Sequence, residues 1–172
     1  MRVSCFRVGA VRLCLALMLG LLAVSGYVVA PVLFARAGSH ALAGMLAGQI
    51  FHIANIGIVF LAASVTVFWL RMARSGMKIG RLRWLLLLAV AVLVAINEFG
   101  ITPVIVDLKA QMGPIDQVPH DDPVRKLFGM WHGVSAVLHL LATLLAVVLV
   151  GLGASSCAQD ESDSGSGEAC PT

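Results

Sequence analysis

Four long runs without a charged side chain limit what this chain can fold into. Between Arg12 and Arg36 lie 23 residues with no Asp, Glu, Lys or Arg, and between Arg36 and Arg71 lie 34. From Trp84 to Val106 the one such residue is Glu98, and a further 33 charge-free residues separate Lys126 from Asp160. A bilayer core about 30 Å thick is crossed by a helix of roughly 20 apolar residues. Each run is therefore long enough to cross. Composition agrees: the chain is 59% hydrophobic and 12% charged, where a soluble domain carries about 25% charged residues. Little of the 172-residue chain is left for a soluble domain.

The expected architecture is all-α, an integral membrane antiparallel four-helix bundle, with helices over about residues 8–34, 42–70, 83–106 and 124–152. Pro31 and Pro103 fall in the last turns of the first and third helices, where they break or kink them. Residues 1–7 form a short basic N-terminus. Residues 153–172 are rich in Ser, Gly and acids and are expected to be a disordered tail, since they cannot bury a core. The opening "MRVSCFRVGAVRLCLALMLGLL" has the basic start of a signal peptide. Its apolar run exceeds the 7–15 residues or so of a signal core, so it is read as an uncleaved first span. No internal repeat of the kind found in transporters is visible.

Orientation follows from Lys and Arg near the span ends. The loop between the second and third helices carries Arg71, Arg74, Lys78, Arg81 and Arg83 and no acid. The loop between the first and second carries only Arg36, and the last loop mixes Lys109, Arg125 and Lys126 with Asp107, Asp116, Asp121 and Asp122. Both termini are thus expected in the cytoplasm, with the protein in a bacterial inner membrane. The net charge of +3 does not suggest nucleic acid, because basic residues sit at span ends rather than among aromatics. Cys5, Cys14, Cys157 and Cys170 show no C-x-x-C spacing. On or near the cytoplasmic side such thiols stay reduced, so neither a disulfide framework nor a cysteine-based zinc site is expected.

Against this apolar background a few polar residues stand out. Helix 2 carries His52 and Asn55, helix 3 carries Asn97, Glu98 and Thr102, and helix 4 carries His132, Ser135 and His139. At a rise of about 1.5 Å per residue, His52, Glu98 and His132 fall at similar depths in the outer half of the bilayer, about 15, 13 and 9 Å down. His132 and His139 are seven residues apart and share one face. An ionisable group at mid-bilayer costs at least about 2.5–3.5 kcal/mol, so such faces are expected to look into the bundle and find partners.

Two readings stand for these groups. Asn55, Asn97, Thr102 and Ser135 suit polar packing between helices, at roughly 0.6 kcal/mol per hydrogen bond. Glu98 is either a neutral acid donating to a neighbour or a proton acceptor or metal ligand. His52, His132 and His139 are either hydrogen-bonded clips or ligands of a cofactor such as haem, and His52, Glu98 and His132 together suit a transition-metal ion. Gly44 and Gly48, four apart, let another helix approach closely and offer a face for a homo-oligomer. The "PHDDP" stretch at 119–123 reads as a solvated turn with room for a weak cation site. No nucleotide-binding or hydrolase motif is present.

In order along the chain, "APVLF" (30–34), "AGMLAGQIF" (43–51), "NEFGITP" (97–103) and "FGMWHGVS" (128–135) resemble the transmembrane protein 205-like family, domain of unknown function 4149, over roughly residues 8–152. The resemblance implies a four-helix membrane protein with no established activity. It places Pro31, Phe34, Asn97, Pro103, Phe128, His132 and Ser135 at recurrent family positions; His139 departs from the Asn common there. More distantly the architecture is similar to copper-resistance D-type and HemJ-type membrane proteins, the latter haem-linked oxidases, a likeness at the level of fold. Three function classes follow as expectations: a binding or transport-related bundle handling a metal ion, haem or a proton; a haem-dependent membrane oxidoreductase; and a structural membrane protein without ligand.

Overall fold

The computed structural model describes the backbone of residues 2–164 and the side chains of residues 6–152. Four helices, α1 (Phe6–Arg36), α2 (His40–Arg74), α3 (Arg81–Met112) and α4 (Pro123–Leu152), are each long and apolar enough to cross a membrane. No strand occurs among the described residues. The helical backbone of α4 continues to Ser164. Residues 165–172 of the expected tail, and all the tail's side chains, lie outside the described residues. So do the side chains of Cys5, Cys157 and Cys170, whereas Cys14 is a free thiol. The protein is an all-α bundle built for a bilayer.

The helices form an antiparallel ring in which α1 packs on α2 and α4, and α3 packs on α4 and α2. The start of α1, the end of α4 and the α2–α3 loop lie at one end, here the proximal end. The α1–α2 and α3–α4 loops lie at the distal end. The core is best packed in the proximal half and middle, where Met18, Leu22, Ile58, Val65, Val90 and Ala146 are fully buried. Small residues on α2 and α4, among them Ala54, Ala62, Ala142 and Ala146, let the backbones approach. Near the proximal end Trp69 and Trp84 meet edge to face, ring centres 5.1 Å apart. Large apolar side chains such as Phe60, Leu85 and Phe99 point away from the bundle, as a lipid solvent requires.

Several ends are capped by their own loops. Ser39 accepts from the Leu42 N–H at 3.1 Å and starts α2. Asp116 reaches back across the distal end to accept from the Ala41 N–H, also at 3.1 Å. Asp122 caps α4 by accepting from Val124 and Arg125 N–H at 2.8 and 3.0 Å, with Pro123 in the first helical position. The acidic stretch at 119–123 is thus a helix start. α3 continues to Met112 rather than stopping at Val106, and Gly113, at φ 72°, ends it.

Two helices are not regular. α1 widens into a π-turn over Ser25–Val29, and α3 does so over Ile96–Ile101. Each widening ends two residues before a proline, Pro31 or Pro103. Proline has no N–H to offer the preceding turn and its ring crowds a carbonyl there. Inserting one extra residue relieves that conflict. Side chains bond back into the preceding turn: Ser25 Oγ donates to Leu21 O at 2.6 Å, and Thr102 Oγ1 to Asn97 O at 3.0 Å. The sequence shows no extended repeat, yet the two hairpins share this local device.

Candidate functional site

The widened turn of α3 carries the most unusual side chain in the protein. Asn97 and Glu98, adjacent in the π-turn, are both buried, 6% and 5% exposed. Across the seam, α2 supplies the partners. His52 Nδ1 shares a hydrogen bond with Glu98 Oε1, and Asn55 Nδ2 donates to Glu98 Oε2 at 2.8 Å. Both carboxyl oxygens are therefore held by a donor or sharer on the neighbouring helix. His52 itself is 61% exposed at its side chain while Glu98 is 4% exposed. One imidazole thus links a buried carboxyl to the outside of the bundle.

Polar capacity is left over around the pair. Asn55 Oδ1 and Asn97 Oδ1 are buried without a hydrogen-bond partner. Buried polar atoms are nearly always satisfied. Two free amide oxygens beside a carboxyl mark a place that a water molecule, a proton donor or a small cation would suit.

The other two histidines go elsewhere. His139 is buried, and its Nε2–H donates to Leu22 O at 2.9 Å. Its ring sits edge-on to Phe51 at 5.2 Å and tilted to Tyr27 at 6.1 Å. Gly26 makes room for it, because a Cβ there would fall 2.5 Å from His139 Nε2. The widened turn of α1 thus receives a side chain from α4, much as that of α3 receives two from α2. Sequence reasoning credited α1 with no polar group here; the groups it supplies, Leu22 O and the space at Gly26, belong to the backbone. His132 is exposed and stacks on Phe128, ring centres 5.8 Å apart and planes 12° apart.

The expected layer of His52, Glu98 and His132 is therefore only partly assembled. His52 and Glu98 meet, Asn55 joins them, and His132 stands apart on its own helix. Among the described residues no group of three His, Cys, Asp or Glu side chains lies close enough to hold a metal ion. Thr102 and Ser135 are half-buried, and Thr102 bonds to its own helix. The inward stripe of α4 explains the separation. Leu149, Ala146 and Ala142 are buried, His139 is 9% exposed, Ser135 is half-buried and His132 is exposed. α1 likewise has no buried residue over Ala30–Arg36. The bundle loosens toward the distal end, so a shared helical face does not imply a shared environment.

Family comparison locates this constellation. A family profile described as a domain of unknown function, DUF4149, matches residues 13–114. The chain belongs to the DUF4149 family. The match spans nearly all of α1 and the whole of α2 and α3, and contains His52, Asn55, Asn97 and Glu98. It stops before α4, so the expected extent over residues 8–152 is supported to residue 114. No curated protein and no solved structure matches the chain. DUF4149 is a domain of unknown function, and the membrane bundle rests on the four long apolar helices.

Proposed function

We propose that this membrane protein takes up and releases a proton at the His52–Glu98 pair, linking the surface of the bundle to its interior. The observation that carries the reading is the difference in exposure across one hydrogen bond: His52 is 61% exposed and Glu98 4%. A proton arriving at the open imidazole has a direct route to the buried carboxyl through Nδ1. Asn55 Nδ2 holds the second carboxyl oxygen and keeps the acid in line with the ring. An acid inside a bilayer span is costly and is a functional candidate by default. The polar residues of α4 have a separate part in this reading: His139 ties α4 to α1 and positions the bundle around the pair.

The reading places the protein in a bacterial inner membrane with both termini in the cytoplasm, so that His52 opens toward the outer leaflet. His52, the Glu98 carboxyl and the free Asn55 oxygen would also accept a small cation, and the test separates the two. Protein in lipid nanodiscs is titrated with acid while infrared difference spectra follow the C=O stretch of protonated carboxyls. Among the carboxyl bands, a pH-dependent component is expected in the wild type that is missing in Glu98→Gln and shifted in its midpoint in His52→Gln. Identical wild-type and Glu98→Gln difference spectra overturn the proposal. Stoichiometric zinc binding that abolishes the band and is lost in Glu98→Gln replaces it with a cation site. A Soret absorption band lost in His52→Gln replaces it with haem ligation.

A further inference from the structure

A second site lies on the same seam nearer the distal end, and it stands whether or not the pair below it exchanges protons. Lys109 lies within the α3 span, three residues before its last residue Met112, which puts it about 4.5 Å below the helix end. Its Nζ donates to Gly44 O of α2 at 3.1 Å and lies 5.8 Å from the centre of the Phe128 ring of α4. An ammonium has three protons to donate. Among the described residues it has one hydrogen-bond acceptor, and no carboxylate lies within ion-pair distance of it. A cation in a span normally has a counter-charge or a wet cavity. Lys109 has neither.

Beneath the Lys109 bridge the seam is open. Gly48 is exposed, and a Cβ built on it meets nothing within 4 Å. Gly44, Gly48 and His52 follow one another at intervals of four and form one face of α2. Hydrogen bonds from Lys109 above and from His52 and Asn55 below pin α2 to α3. Between these bridges, about 12 Å apart along α2, the glycine face has no side chains of its own to fill the seam and leaves a slot. Its floor is glycine backbone and its outer rim carries an ammonium without a counter-ion. It opens sideways, toward the space that lipid occupies.

We infer that this slot holds one anionic phospholipid, its phosphodiester on Lys109 Nζ and an acyl chain laid over Gly48. Phosphate oxygens take the two remaining ammonium protons and supply the missing negative charge. The depth of Lys109 matches the level of headgroup phosphates. A chain in the slot covers the glycine face, which has no side chain to cover itself.

Native mass spectrometry of the full chain in mild detergent, titrated with phosphatidylglycerol and with phosphatidylethanolamine, tests this. The expected result is one tightly held phosphatidylglycerol, bound more tightly than phosphatidylethanolamine. Lys109→Met, which keeps the apolar stem, should weaken it about tenfold, the equivalent of one charge-assisted contact. Gly48→Leu, whose Cβ meets no neighbouring atom, places an apolar side chain in the slot and should weaken it to a similar degree. Cooperative thermal unfolding of both variants shows that the fold survives. Four results overturn the inference: no retained lipid in the wild type; unchanged binding in both variants; displacement by inorganic phosphate alone, which marks a free-phosphate site; or a dimer mass lost in Gly48→Leu while lipid binding stays, which makes the occupant a second copy.

Discussion

Gly26 is the position at which one added methyl group would be felt most. A Cβ there falls 2.5 Å from His139 Nε2 and 2.8 Å from Cδ2. The ring cannot easily retreat, because Leu22 O accepts its Nε2–H and Phe51 and Tyr27 flank it. Gly26→Ala is expected to cost about 1–3 kcal/mol by overpacking. His139→Ala alone should cost a similar amount, roughly 1–3 kcal/mol, by removing the hydrogen bond to Leu22 O and leaving a cavity in the ring's place. In the double variant the clash disappears with the ring, so the two costs should fall short of adding by about 0.5–3 kcal/mol. Thermal unfolding followed by circular dichroism in mild detergent gives the whole cycle. Wild-type stability in Gly26→Ala would mean that the ring does not occupy this position. Little of this contact was legible beforehand. A glycine in a membrane helix carries no sign of what lies against it, and a carbonyl freed by a π-turn is invisible in a list of side chains.

At the scale of the element, the four spans were legible because apolar length is a strong signal that needs no partner. Their details were less so. α3 outlasts its apolar run through Asp107, Lys109 and Gln111, since a helix can continue past the lipid. The π-turns escaped notice for a related reason. Proline announces a disturbance, but whether the helix kinks or takes in an extra residue depends on what packs against it. The cap on α2 is a further case, since Asp116 comes from a distant loop. Its carboxyl is held below the ordinary carboxylate range, first by the Ala41 N–H, against desolvation, which raises it, and with further help from His40. The folded chain therefore binds fewer protons than the unfolded chain over the window between the two values. Stabilisation by this cap is complete above the unfolded carboxylate value of about 3.9 and is lost as pH falls through the lower folded value. Asp116→Asn should unfold more readily than wild type near neutral pH, with the difference fading in acid. A difference that grows on acidification would contradict the cap.

Across the whole molecule, charge and packing divide the bundle into unlike ends. Arg71, Arg74, Lys78, Arg81 and Arg83 gather at the proximal end, where the core is tightest and Arg83 also donates to Leu152 O at 2.6 Å. The distal end balances its few cations with acids, and there α1 and α4 lose their burial. Basic loops are retained in the cytoplasm, so the proximal end should face inward and the looser end outward. That orientation gives the site its direction, because His52 and the slot above it would then open to the outer leaflet. Single cysteines at Lys78→Cys and His120→Cys, each with the four native cysteines replaced by serine, report it. A membrane-impermeant maleimide applied to spheroplasts should label His120→Cys at once and Lys78→Cys only after lysis. The reverse pattern would turn the molecule over. His52 would then take its protons from the leaflet next to the cytoplasm, and the slot under Lys109 would select from the lipids of that leaflet instead.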